Sequence, residues 1–163
     1  MTGPEFIAQL LATGEFHGLR PGAPRDEADR AIGVGFIAEE DGAGRSLRRD
    51  YGLVELYFSG GPDWVLTSGS LELHRIPGDP DVAGEWREAM GVDFAPYTEW
   101  DEVLRVLAAA APGLGVAMDR TDQGGFLEYR NPLTKVSVMV VEGEDERDDW
   151  PGHGDVWSVS WSR

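Results

Sequence analysis

Apolar residues recur at Trp100, Val103, Leu104, Leu107, Ala108 and Ala111, the i, i+3, i+4, i+7 spacing that lines one face of an α-helix. Thr98 stands where an N-cap belongs and Asp101 follows three residues later, while Pro112 and Gly113 close the run. The pattern predicts a helix near 98 to 111, with Leu104 and Leu107 at the centre of its buried face. Phe6, Ile7, Leu10 and Leu11 repeat the spacing near the N-terminus and predict a second helix near 4 to 13. A shorter one is expected near 24 to 32, where Pro24 suits a first turn, Asp26 and Glu27 complement the N-terminal dipole, and Gly33 suits a C-cap.

Period-two alternation takes over elsewhere. Strands are expected near 46 to 58, 63 to 75, 126 to 141 and 155 to 161, with Leu71 and Leu73 on one face and Trp157, Val159 and Trp161 sharing another. After the helices at 24 and 98, the chain repeats one order of events. GVGFIAEEDGAGRSLRRDYGLVELYFS and GLGVAMDRTDQGGFLEYRNPLTKVSVMVVE each run from a Gly-x-Gly through a short apolar strand, a polar turn, a strand, a turn and a longer apolar strand. The fold class this predicts is α+β: antiparallel meander sheet with packed helices, in a single domain over 1 to 163. Two similar helix-plus-meander halves, about 1 to 77 and 98 to 163, are joined by a linker at 78 to 97 that holds a short helix near Trp86.

Charge sharpens the picture. The 163 residues carry a formal net charge of −16, which disfavours nucleic acid and anionic membrane as partners, because binding a polyanion draws its affinity from Lys and Arg. A basic protein is the natural electrostatic complement. There are no cysteines, so thiolate chemistry and disulfides are excluded and a reducing, cytoplasmic setting is expected. No apolar run is long enough for a transmembrane helix, and the N-terminus lacks the charged and apolar regions of a signal peptide.

The most acidic stretch is EDERDDWPGHGD, residues 144 to 155, between two expected strands. Glu144, Asp145, Glu146, Asp148, Asp149, Trp150 and Asp155 form the candidate partner-binding surface: carboxylates for charge complementarity and an aromatic anchor to be desolvated. The acids at 144, 146, 148 and 155 fall at calcium-loop spacing, but Asp149 occupies the turn position that requires glycine and the flanks are strands. The two Gly-x-Gly segments follow helices and precede strands, the reverse of a nucleotide loop. His17, His74 and His153 are scattered, and no nucleophile elbow occurs. No catalytic, metal or cofactor residue is assigned. Tyr51, Tyr57, Trp64, Tyr129 and Trp157 are candidates for an aromatic pocket, with core packing as the simpler role.

LRPGAPRDEADRAIG followed by RRDYGLVELYFS resembles the short helix and YG-apolar strand of small cytosolic immunity proteins from bacterial polymorphic-toxin and contact-dependent inhibition systems, over roughly residues 18 to 60. The resemblance implies a non-enzymatic protein that neutralises a cognate toxin by direct binding. The tandem layout is also similar to the β-lactamase-inhibitor protein, whose family is disulfide-bonded where this chain has no cysteine. The alternatives are a small-molecule or peptide-binding domain with an aromatic pocket, and a structural or regulatory adaptor.

Overall fold

A computed structural model describes all 163 residues. Helix α1 (Gly3–Thr13) starts from a capping box in which Thr2 and Glu5 exchange side-chain and backbone hydrogen bonds, and it stops at Gly14, whose φ of 71° is the left-handed conformation that glycine adopts without strain. Helix α2 (Arg25–Ala31) follows, then strands β1 (Ile37–Glu40), β2 (Ser46–Asp50), β3 (Val54–Ser59) and β4 (Val65–Leu71). A single 3-10 turn, Leu73–Arg75, precedes α3 (Asp81–Met90), α4 (Trp100–Ala110) and the short α5 (Leu114–Ala117). The chain ends with β5 (Asp119–Asp122), β6 (Phe126–Asn131), β7 (Val136–Val141) and β8 (Val156–Ser162).

All eight strands form one antiparallel sheet in the order β1-β2-β3-β4-β8-β7-β6-β5. Two four-strand meanders therefore meet along their last strands, and β1 and β5 are the outer edges. The fold is α+β, as the alternation and the helical periodicity predict. At the central seam Gly69 faces Trp161, and a Cβ on Gly69 would lie 2.7 Å from Cε2 of the indole and 2.9 Å from Cδ2 of Leu56. Glycine is what lets a tryptophan side chain cross the middle of the sheet.

One face of the sheet carries the core: Leu47, Leu56, Phe58, Leu66, Val138 and Val159 are among its buried residues. Helices α1 and α4 pack on each other over this face, and Trp161 stacks on Phe16 with ring centroids 4.9 Å apart. The opposite face carries Arg48, Glu55, Tyr57, Ser68, Ser70, Ser137, Ser158 and Ser160 in register. There Glu55 accepts hydrogen bonds from Tyr57 and Arg75 and pairs with Arg48. Burial raises the Glu55 pKa, but these donors outweigh it and hold the carboxyl below its ordinary range.

Several expectations change. Helix α4 begins at Trp100 with Glu99 as N-cap and no side-chain cap; Thr98 is buried instead, its carbonyl accepting from Val156 N–H at 2.8 Å. The buried face of α4 is Trp100, Val103 and Leu107, with Leu104 only partly covered and Ala108 exposed. Leu107→Ala is accordingly expected to cost about 3 kcal/mol in urea unfolding and Leu104→Ala only about 1 kcal/mol. The reverse ranking would mean that the helix is rotated. Gly33 is not in the left-handed region, and α2 ends at Ala31 with Ile32, in extended geometry, as its C-cap. The Gly113 segment enters α5 before any strand.

The expected shared face of Trp157, Val159 and Trp161 is broken by a β-bulge. Met139 faces Ser158 but Val140 faces Val156, leaving Trp157 as the extra residue. The bulge shifts the alternation by one, so Val156 joins Val159 and Trp161 in the core while Trp157 stacks on His74 at 4.7 Å, with Phe126 edge-on. The β3–β4 pair has its own bulge at Thr67. The connection at 78 to 97 holds α3, and it is built into the core: Trp86 is buried and donates Nε1–H to the Tyr51 carbonyl at 3.1 Å.

Candidate functional site

Strand β7 ends in a run of valines and β8 begins with Val156, so both ends of the loop between them are anchored in the core. The loop itself is polar and glycine-containing, which leaves its backbone groups to be satisfied by one another and by nearby side chains. Asp155 supplies the organising charge. It is 0% exposed, it accepts Nε–H and Nη2–H of Arg147 at 2.8 and 2.7 Å, and its Oδ2 also accepts the Gly152 N–H at 3.0 Å. The two-pronged guanidinium–carboxylate contact fixes the loop's closing geometry.

Arg147 reaches further, to Glu99 at 3.2 Å, and lies 4.9 Å above the ring of Tyr97. Its hydrogen bonds to Asp155 raise the guanidinium pKa above the ordinary arginine value, so it stays charged throughout the accessible pH range. Tyr97 O–H donates to the Asp148 carbonyl. His153 N–H donates to the Asp145 carbonyl at 2.9 Å, and its Nδ1 sits 2.8 Å from the Glu142 carbonyl; since a carbonyl only accepts, Nδ1 carries the proton in that contact. Gly152 packs against loop backbone, a Cβ there falling 2.7 Å from Arg147 N and 2.9 Å from the Asp145 carbonyl oxygen. A residue with a side chain does not fit.

The consequence is a tied backbone with its acids turned outward. Glu144, Asp145, Glu146, Asp148 and Asp149 are exposed, and Trp150 beside them is 52% exposed. Six of the seven residues expected at a partner surface therefore share an accessible loop. Asp155 is the exception, because its charge is consumed inside the loop by Arg147 and Gly152. Sequence reading missed Tyr97, Glu99 and Arg147 as the supports. The one available signal was a lone arginine in a run of acids, bordering the alternating apolar strand.

The acids do not converge. No group of three or more His, Asp or Glu side chains is placed to hold a metal ion. Calcium at about 1 mM is expected to move the melting temperature by less than about 1 °C, because an ion stabilises a fold only through sites that it binds. A larger rise would reveal a site assembled from the loop.

The five aromatics considered for a pocket are separated. Tyr51 and Trp64 are core residues, Tyr57 lies on the open face, Tyr129 packs 4.8 Å from Trp100, and Trp157 stacks on His74. The three histidines are equally dispersed: His17 lies among Phe6, Phe16 and Trp86, and desolvation there lowers its pKa. No helix is long and apolar enough to cross a membrane. Comparison with protein-family models, curated proteins and solved structures returns no match to this chain.

Proposed function

We propose that this chain is a non-catalytic protein-binding domain that uses the β7–β8 loop to hold a basic partner, and that it acts as an immunity protein neutralising a cognate bacterial toxin in the cytoplasm. The observation that carries the reading is the loop's construction. Five exposed carboxylates precede a half-exposed Trp150 in the same loop, on a backbone that Arg147 and Asp155 tie together. Carboxylates steer a basic partner and set its orientation, while an aromatic supplies the dehydrated anchor that charge alone does not. A preset loop also loses less conformational entropy on binding than a mobile one.

A toxin that acts on nucleic acid must display a basic cleft to hold phosphates, and a fixed row of carboxylates fills or flanks such a cleft. The aromatic-pocket alternative gains nothing from five dispersed rings. The test is a charge reversal. Asp145→Lys, Asp148→Lys and Asp149→Lys together should leave the melting temperature within about 2 °C of the parent, since exposed loop charges contribute little to folding. The same protein should bind the toxin domain at least about a hundredfold more weakly, chiefly through a slower association rate. Unchanged affinity would place the interface elsewhere.

A further inference from the structure

Strand β1 is an outer edge of the sheet. Asp41 N–H donates to the Ser46 carbonyl at 3.0 Å, and with Glu39 facing Arg48 and Ile37 facing Asp50 the hydrogen-bonded pairs of this antiparallel ladder fall on the odd residues. The N–H and C=O of Ala38 and Glu40 therefore point away from β2, with no strand to receive them. Such an edge is a template for another chain unless something blocks it. Here the block is shortness and negative charge, four residues ending in Glu39 and Glu40, which turns away acidic strands but not basic ones, and beside it Ile37 is 71% and Phe36 44% exposed. The other edge, β5, consists only of the polar residues Asp119 to Asp122.

Just before β1 the chain borders an open cleft of about 730 Å³, lined by Val34, Phe36, Ile37 and Tyr51 together with Glu85 and Glu88 of α3. No basic side chain lines it. Arg49 lies 4.2 Å over the Phe36 ring from within the fold and pairs with Asp29 at 2.5 Å, so its charge is already answered. Asp50, also on the cleft wall, is answered by Arg48 and Arg75. Glu40, Glu85 and Glu88 have no ion-pair partner. The cleft therefore offers apolar and aromatic surface with uncompensated negative charge, the complement of a long basic side chain whose stem is apolar and whose head is cationic.

We propose that β1 and this cleft form a docking edge for an extended, basic segment of a protein partner. The segment adds antiparallel to β1 as a further strand, pairing with the free groups of Ala38 and Glu40. Continuing past Ile37, it lays an arginine or lysine in the cleft against Phe36, Glu85 and Glu88. Backbone pairing supplies affinity without regard to sequence, and the cleft supplies the preference for a basic residue. This surface stands on its own observations and does not depend on the β7–β8 loop.

The test uses fluorescein-labelled decapeptides and the full chain in anisotropy titrations. An alternating Arg-Val peptide should bind, an alternating Glu-Val peptide should not, and an alternating Arg-Pro peptide of equal charge should bind at least about tenfold more weakly, because proline cannot donate to the ladder. Ala38→Pro removes an outward N–H that makes no intramolecular strand bond, so the fold should persist while Arg-Val binding drops about tenfold. Should that variant unfold, Glu85→Gln with Glu88→Gln tests the cleft: weaker binding with a flatter salt dependence supports the proposal, and unchanged binding overturns it. The Asp145, Asp148, Asp149 reversal to lysine should leave Arg-Val binding unaltered. Equal binding of the Arg-Val and Arg-Pro peptides, or none of either, would overturn the docking edge. So would a dimer of this chain, seen by sedimentation, that Ala38→Pro dissociates, since the edge would then serve a second copy.

Discussion

Trp161→Ala is expected to cost about 4 kcal/mol, within the range for removing a buried tryptophan from a core. The indole is 2% exposed, it stacks on Phe16 at 4.9 Å and 12°, and it crosses the seam where β4 and β8 join the two meanders. Gly69 opposite cannot fill the void, so the cavity would persist unless the strands closed over it. Because β4 and β8 are the only link between the two halves of the sheet, the loss should also reduce cooperativity. Urea unfolding followed by circular dichroism and by tryptophan fluorescence reads both effects. A cost under about 1 kcal/mol would mean that the seam is not the centre of the core.

Arg147→Met is expected to cost about 3 kcal/mol, the low end for breaking a buried ion pair. The low end applies because Arg147 is 43% exposed, whereas Asp155 is 1% exposed at its side chain. Without the guanidinium, a carboxylate stays buried with only the Gly152 N–H to answer it. Water can reach the place that Arg147 leaves, which limits the penalty. The loop should loosen before the sheet does, so amide exchange at Asp145 to Gly154 is expected to speed up more than exchange in β3 or β7. Lysine at 147 should recover only part of the loss, since an ammonium cannot reproduce the two-pronged contact. Uniform acceleration of exchange across the molecule would instead make the pair a global support.

The elements were legible wherever a periodic apolar face met a sharp stop. In α1 the spacing of Phe6, Ile7, Leu10 and Leu11 predicts a helix near 4 to 13, and the structure has it at Gly3–Thr13, with the left-handed Gly14 as the stop. Helix α4 was legible in its body and misread at its start: Thr98 has the chemistry of a cap, yet its burial and its backbone bond to β8 are tertiary facts. Trp157 shows the limit of alternation, because a bulge adds one residue without any change in residue type and moves an aromatic from one face of the sheet to the other. The acidic loop was legible as charge but not as structure. Which of its acids faces inward depends on where Arg147 lands, and that depends on Tyr97 and Glu99 from a segment roughly fifty residues earlier.

The most direct measurement of the proposed binding is a titration of this chain against a basic toxin domain encoded beside its own reading frame, by calorimetry at two ionic strengths. The parent protein should bind with a dissociation constant below about 1 μM, weakening as salt is raised. The Asp145→Lys, Asp148→Lys, Asp149→Lys variant, folded to the same melting temperature, should bind at least about a hundredfold more weakly and with less salt dependence. No binding by the parent, or equal binding by parent and variant, would contradict an acidic loop built to hold a basic toxin.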